Sequence, residues 1–188
     1  MKTAAHKLLF FLLIFVIGSP GLRGQNYVLD REASEITFSV SNLKWNTVRG
    51  TFSDIEWQGR VDIAQPEQSD FEVSVASASV RTGIGKRDRH LAEPEFFDAE
   101  KHPRITVRSS DLMHAAVEGV YLFSGTLEIK GIVRPLECRV RVNDAAPGFT
   151  AAADFTLFRE DFDLGANHST FIIGEEVAVE VKIVMQPE

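Results

Sequence analysis

Apolar and polar residues alternate with a period of two along much of the chain. Ile36, Phe38 and Val40 sit between Glu35, Thr37, Ser39 and Ser41, and Phe71, Val73 and Val75 sit between Asp70, Glu72 and Ser74. Ile105 and Val107 are flanked by Arg104, Thr106 and Arg108. Leu136, Cys138, Val140 and Val142 alternate with Glu137, Arg139 and Arg141, and Val177, Val179, Val181 and Ile183 with Glu176, Glu180 and Lys182. This spacing puts successive side chains on opposite faces and predicts β-strands that bury one face only. Strands of that kind favour antiparallel pairing. Weaker strands are expected at 27–30, at 47–63 with a bend or break near Ser53-Asp54, at 117–129 with a bulge favoured by Gly119 and Gly125, and at 149–158. Turn signals fall at Gln65-Pro66, Asp111, Lys130-Gly131 and 143–148. Helix is scarce: Lys86 to Ala92 reads as one to two turns, and Pro94 as the start of a second short helix through Ala99. A long loop is expected from Arg159 to Gly174, a length that in compact domains is usually functional or mobile.

Many strands and little helix predict an all-β domain, either a sandwich or a closed barrel of about eight antiparallel strands. A strand of about 12 residues, rising about 3.3 Å each and tilted about 40°, spans roughly 30 Å of a barrel axis. Phe38, Val40, Phe71, Val73, Val75, Cys138, Val140, Phe155, Val179 and Val181 are the candidate lining, with small Ala151 and Ala153 among them. Such a lining is compatible with an apolar tunnel and equally with a filled core. The alternation does not separate the two.

The N-terminus changes the picture of what the mature chain is. Lys2 and Lys7 precede an unbroken apolar run from Leu8 to Ile17, and Gly18, Ser19, Pro20 and Gly21 follow. This is the layout of a secretory signal peptide, assigned here to 1–24, with the domain at 25–188. The run is too short to span a bilayer, which takes about 20 residues. Removing Lys2, Lys7 and Arg23 takes Lys+Arg from 20 to 17 against 27 Asp+Glu, a mature net charge near 17 − 27 = −10. So acidic a chain is a poor candidate for nucleic-acid binding, and no further stretch predicts stable membrane insertion. The single cysteine excludes an internal disulfide and any Cys-based metal cluster. No nucleophile elbow, phosphate loop or dinucleotide fingerprint occurs, so neither enzymatic activity nor a cofactor or metal is expected. Against the acidic background, Arg81, Lys86, Arg87 and Arg89 crowd four positive charges into nine residues, with His90 next to them. They are either a surface turn paired with Glu93, Glu95 and Asp98 or a collar for an anionic head group at a tunnel mouth.

Several short motifs occur in a fixed order. They are Tyr27-x-x-Asp30 with Ser34 and Ile36-x-Phe38, then Val48-x-Gly50-x-Phe52. Asp88-x-His90-Leu91 runs through Phe96-Phe97-Asp98 to Pro103-x-Ile105 and Ser109. Gly125-x-Leu127 is followed by Gly131 and Pro135, and Arg159-x-Asp161-Phe162 by Gly165. With these the chain resembles the YceI-like, periplasmic polyisoprenoid-binding family from about Tyr27 to Met185. The resemblance implies a lipocalin-like antiparallel barrel around an apolar tunnel, a long isoprenoid of quinone or polyprenyl type as ligand, and non-enzymatic carriage or storage in the periplasm linked to stress. It leaves a filled barrel that binds a partner protein as the alternative, and the oligomeric state open, a dimer among the options. Phe96-Phe97 and His90 are expected to close one barrel end, and Arg159 and Asp161 to form an ion pair holding the long loop. The chain departs from the family pattern at Ala33, Asn42, Glu128, Val133 and Asp163.

Overall fold

A computed structural model describes residues 27–62, 65–145 and 147–188. The expected signal segment lies outside the described residues. The strands are β1 (Tyr27–Leu29), β2 (Glu35–Asn42), β3 (Asn46–Phe52), β4 (Ile55–Arg60), β5 (Asp70–Ala76), β6 (Arg104–His114), β7 (Val120–Ile129), β8 (Ile132–Ala145), β9 (Gly148–Phe158) and β10 (Ile173–Pro187), with one helix, α1 (Gly85–Ala92). All ten belong to one antiparallel sheet in the order β3-β2-β10-β9-β8-β7-β6-β5-β4, with β1 on the far end of β10.

The expected all-β antiparallel barrel is what forms, with ten strands rather than eight. The break foreseen at Ser53-Asp54 separates β3 from β4, and Asp54 takes a left-handed φ of 58° there. The Asp111 turn signal is absorbed into β6, which bulges between Ser109 and Asp111 opposite Gly125 and Ser124. Gly125 therefore faces the bulge rather than carrying it. A Cβ at that position would lie 2.2 Å from the Arg108 carbonyl oxygen. Lys130 and Gly131, both at positive φ, make the tight β7–β8 hairpin. The second helix expected after Pro94 is absent: residues 94–97 form turns. Short 3-10 turns appear instead at Pro66–Gln68, Ser77–Ser79 and Arg159–Phe162.

Register turns the sequence alternation into an inside and an outside. Tyr121 lies opposite Val140, Val140 opposite Ala153, Ala153 opposite Val181, Val181 opposite Ile36 and Ile36 opposite Phe52. One apolar row thus crosses β7, β8, β9, β10, β2 and β3. A one-residue slip in any pair would turn that strand's charges inward, so burial of one face fixes the register. The outer face carries charge. Arg108 bridges Glu72 and Glu128 across three strands at 2.9 Å each, an exposed network that contributes little to stability.

The sheet curls round without closing its own ladder. β3 and β4 are its two ends, and a strap at residues 77–82 lies at the seam. Thr51 and Arg81 exchange two backbone hydrogen bonds (2.8 and 2.9 Å). The Ser79 hydroxyl accepts from the Ser53 N–H at 3.1 Å, and Val80 of the strap turns inward and is wholly buried. Helix α1 follows directly. Asp88 Oδ1 accepts from both the N–H and the hydroxyl of Thr82, tying the helix back to the strap. The helix ends at Glu93, whose extended backbone precedes Pro94, as the steric demand of proline on its predecessor requires.

Candidate functional site

The curled sheet encloses a cavity of about 270 Å³. Protein interiors close-pack and leave few voids larger than a water molecule, so this space exceeds ordinary packing imperfection. It lies near the lower end of the range for small-molecule sites, about 300 Å³. All ten residues proposed from the sequence as lining stand on its wall: Phe38, Val40, Phe71, Val73, Val75, Cys138, Val140, Phe155, Val179 and Val181. Sequence reasoning set Phe96 and Phe97 at a barrel end but missed Leu91 and Leu164. Leu91 from α1, Phe96 and Phe97 from the turns after it, and Leu164 from the segment after β9 also line the cavity. Phe52 and Trp57, beside the seam, complete a mostly aromatic side, where Trp57 stacks on Phe71 with centroids 4.8 Å apart.

Almost no polar group faces the enclosed space. Among the described lining residues, only Thr37, Ser74 and Arg159 combine a polar or charged side chain with hydrogen-bonding capacity beyond that of Trp57 and Cys138. The Ser74 hydroxyl is held by the Arg104 guanidinium at 2.8 Å. Arg159 is 2% exposed, and its guanidinium is occupied by main-chain carbonyls. Nε donates to Gly174 at 3.1 Å, Nη1 to Leu164 and Gly165 at 3.0 and 2.9 Å, and Nη2 to His168 at 2.9 Å. This corrects the expected Arg159–Asp161 pair. Arg159 organises the chain between β9 and β10 through carbonyls, and its carboxylate neighbour is Glu160 at 3.4 Å. A fork of rigid donors suits several carbonyls at once, as a lysine would not.

The organised segment is clasped to the α1 end of the barrel. Glu95 receives His90 Nε2 at 3.0 Å on one carboxylate oxygen, while His168 Nε2 stands 3.3 Å from the other without the alignment of a hydrogen bond. The Gly165 N–H donates to the Glu95 carbonyl at 2.8 Å, and the Phe96 ring stacks on His168. Gly165 has a φ of +59°, and a Cβ there would meet the Phe96 ring at 2.6 Å. Beneath this clasp, Val80, Phe97, Leu127, Ile129, Phe162 and Leu164 form a buried cluster. His90 and Phe96-Phe97 thus sit together at the α1 end of the barrel.

The basic residues divide. Lys86, Arg87 and His90 border a shallow surface groove with Ile84 and Glu93, whereas Arg81 and Arg89 lie outside it. Arg87 is committed to Thr82 through Nε and Nη2, and Arg81 to the carbonyls of Ala78 and Val80. Asp88 is held below the usual carboxylate range, first by the Thr82 hydroxyl and then by the Thr82 N–H and the Arg81 and Arg87 charges. Of the expected partners, Glu95 takes His90 and Asp98 takes Lys101, so the basic turn is not neutralised as a block. Cys138 has its thiol pushed above the ordinary range, first by burial and then by the Asp154 carboxylate. Among the described residues no group of three His, Cys, Asp or Glu side chains is placed to hold a metal.

A curled antiparallel sheet with an apolar interior and a clasped end defines a lipocalin-like barrel of the cavity-bearing class. Residues 27–185 match the YceI-like domain, and the chain belongs to that family. Among curated relatives, a UPF0312 protein of Ectopseudomonas mendocina is 28% identical over 165 residues, covering 81% of this chain and 86% of its own. A UPF0312 protein of Shewanella baltica is 28% identical over 152 residues, covering 74% and 79%. Among solved structures, Burkholderia cenocepacia BcnA aligns with a TM-score of 0.78 at 23% identity, covering 84% of this chain and 99% of its own. A polyisoprenoid-binding domain from Saccharophagus degradans, implicated in plant cell wall breakdown, aligns at 0.71 and 17% identity, covering 87% and 99%. These likenesses establish the fold.

Proposed function

We propose that the protein binds a long-chain apolar lipid, of isoprenoid type, and stores or carries it without chemical change in an exported, periplasm-like compartment. The observation that carries this reading is the cavity: a space running between strand faces, walled by aliphatic and aromatic side chains, with its one buried cation fully occupied by carbonyls. The polyisoprenoid-binding domain of the same fold supports the ligand class, and the apolar leader supports export. Burial contributes about 0.8 kcal/mol per methylene, so about ten buried carbons yield roughly 8 kcal/mol before ordering costs, a gross affinity near micromolar. No polar anchor is needed for that. Lys86, at the groove on α1, is the candidate for an anionic head group. A filled barrel that serves only as a partner-binding surface is disfavoured by the open interior.

Protein purified from its native host should release an apolar compound into organic solvent, identified by mass spectrometry. A protein that stays empty when offered solubilised isoprenoid quinones and polyprenyl phosphates would refute the reading. Cys138 supplies an internal probe, because it is the chain's one cysteine and stands on the cavity wall. Its thiolate is the reactive form, so alkylation should be slow at neutral pH and keep rising into the alkaline range beyond that of a free thiol. Bound quinone should slow it further, by about tenfold or more at saturation. Equal rates with and without ligand would place the ligand elsewhere.

A further inference from the structure

A hairpin beside the cavity holds a tryptophan out into solvent. Between β2 and β3, Leu43 and Lys44 both take left-handed backbone angles (φ 52° and 60°), a conformation that costs non-glycine residues energy. At its tip Trp45 is 89% exposed. The neighbouring segment adds exposed Phe171 and Ile172, with Leu43 exposed beside them. These are one patch, because the Ile172 carbonyl accepts both the Leu43 N–H at 3.0 Å and the Asn42 side-chain amide at 2.9 Å. The Lys44 ammonium lies 5.4 Å from the Phe171 ring centre.

Two further observations say what covers this patch. First, it is continuous with the cavity: Ile173, next to Ile172, and Val40, three residues before Leu43, both stand on the cavity wall. Secondly, its charge is unlike that of the chain. Lys44 is the single charged residue in 42–46 and 169–173, whereas the whole chain carries −7. Tryptophan with lysine at an apolar tip is the composition that settles at a bilayer's headgroup boundary, the ring in the interface and the ammonium toward water and phosphate. A protein partner of this acidic chain would more often be met by complementary charge, which the patch does not display.

We propose that Leu43, Lys44, Trp45, Phe171 and Ile172 form a docking surface for a lipid bilayer, setting the cavity's adjoining end against the membrane. The purpose of such docking rests on the apolar-lipid reading above, since it would bring the cavity to the ligand's source or destination without passage through water. Insertion is shallow and reversible, driven by apolar contact, with Lys44 adding one headgroup contact.

The test uses the full folded protein and vesicles of phosphatidylcholine and phosphatidylethanolamine, some with brominated acyl chains. Wild-type protein should sediment with vesicles, and brominated lipid should quench its emission through Trp45, while Trp57 stays enclosed against Phe71. Trp45→Ser should lower vesicle partitioning by about tenfold and abolish the bromine quenching, and Phe171→Ser should lower partitioning several-fold. Both side chains are exposed, so neither change threatens folding. Binding should survive about 0.5 M salt, where surface electrostatics are screened. Partitioning that is unchanged in both variants, absent in the wild type or lost in salt would overturn the proposal. So would a wild type that ignores vesicles but dimerises through Trp45. Quinone uptake from detergent, measured without vesicles, is read separately. Its failure in the wild type would refute the ligand reading while leaving the vesicle result standing, and its retention in Trp45→Ser is expected.

Discussion

Replacing Arg159 with alanine is expected to be among the most damaging single changes in the chain, lowering stability by about 3 to 5 kcal/mol. The reason is the number of groups it serves at once. Its guanidinium supplies donors to the carbonyls of Gly174, Leu164, Gly165 and His168, and the residue is almost wholly buried. Truncation would leave those carbonyls without donors at the edge of an apolar cavity, and each unsatisfied buried carbonyl costs about 1 to 3 kcal/mol, less whatever entering water restores. Arg159→Lys should recover only part of the loss, because three donors on a flexible stem do not reproduce a planar fork. Denaturant unfolding monitored on both variants checks this. An Arg159→Ala loss below about 1 kcal/mol would mean that water replaces the guanidinium without strain. Quinone affinity should fall as well, because Leu164 and Ile173 reach the cavity wall from the segment that Arg159 organises.

The second large effect is expected from filling the cavity. Ala153 lies mid-wall, opposite Val140 on one side and Val181 on the other. Ala153→Phe puts a ring into the open space. If it excludes about three methylenes of ligand, at about 0.8 kcal/mol each, affinity falls roughly 50-fold. Stability should move by no more than about 1 kcal/mol, since the new ring enters a void rather than a packed core. Titration of a fluorescent polyisoprenoid analogue, set beside the unfolding midpoint, separates binding from folding. Unchanged affinity with a folded Ala153→Phe protein would move the ligand out of the barrel.

Ala153 and Arg159 differ in how far the sequence reveals them. Ala153 and the rest of the strand lining could be read directly, because a period of two survives whatever the strand pairs with. The ten strand residues proposed as lining all reach the cavity wall. The break at Ser53-Asp54 and the helix beginning near Lys86 were visible for the same local reason, from turn residues and charge spacing. Arg159 was visible as a residue but not in its role. The carbonyls it serves belong to segments whose meeting depends on the closed fold, and sequence neighbours offered Asp161 as the nearer partner. The position of the bulge is hidden for a similar reason. Gly125 marked a close approach, and the irregularity it accommodates lies on the facing strand at Ser109–Asp111. Pro94 signals a helix start in the sequence, but the backbone there turns to deliver Phe96 and Phe97 to the barrel end, and buried aromatic packing outweighs a weak helical signal. The cationic stretch 81–89 looked like one block in sequence. In space, Arg81 and Arg87 are committed to neighbouring oxygens, and a narrower set remains at the groove.

The unclosed seam between β3 and β4 has a mechanical consequence. A barrel whose ladder runs right round resists any change of girth, because widening it means shearing a whole row of hydrogen bonds. Here the girth is completed by the strap, through the two bonds between Thr51 and Arg81 and the anchoring of Ser79 to Ser53. Those few bonds act as an expansion joint. Their opening would let the wall yield to a guest bulkier than 270 Å³ while the long β7–β8–β9–β10 ladders stay intact. Amide exchange should register this as a local opening at Thr51 and Arg81, faster than at Val179 in the middle of the sheet and slowed when a ligand holds the barrel at one width. Exchange at Thr51 as slow as at Val179 in the empty protein would mean that the joint is rigid.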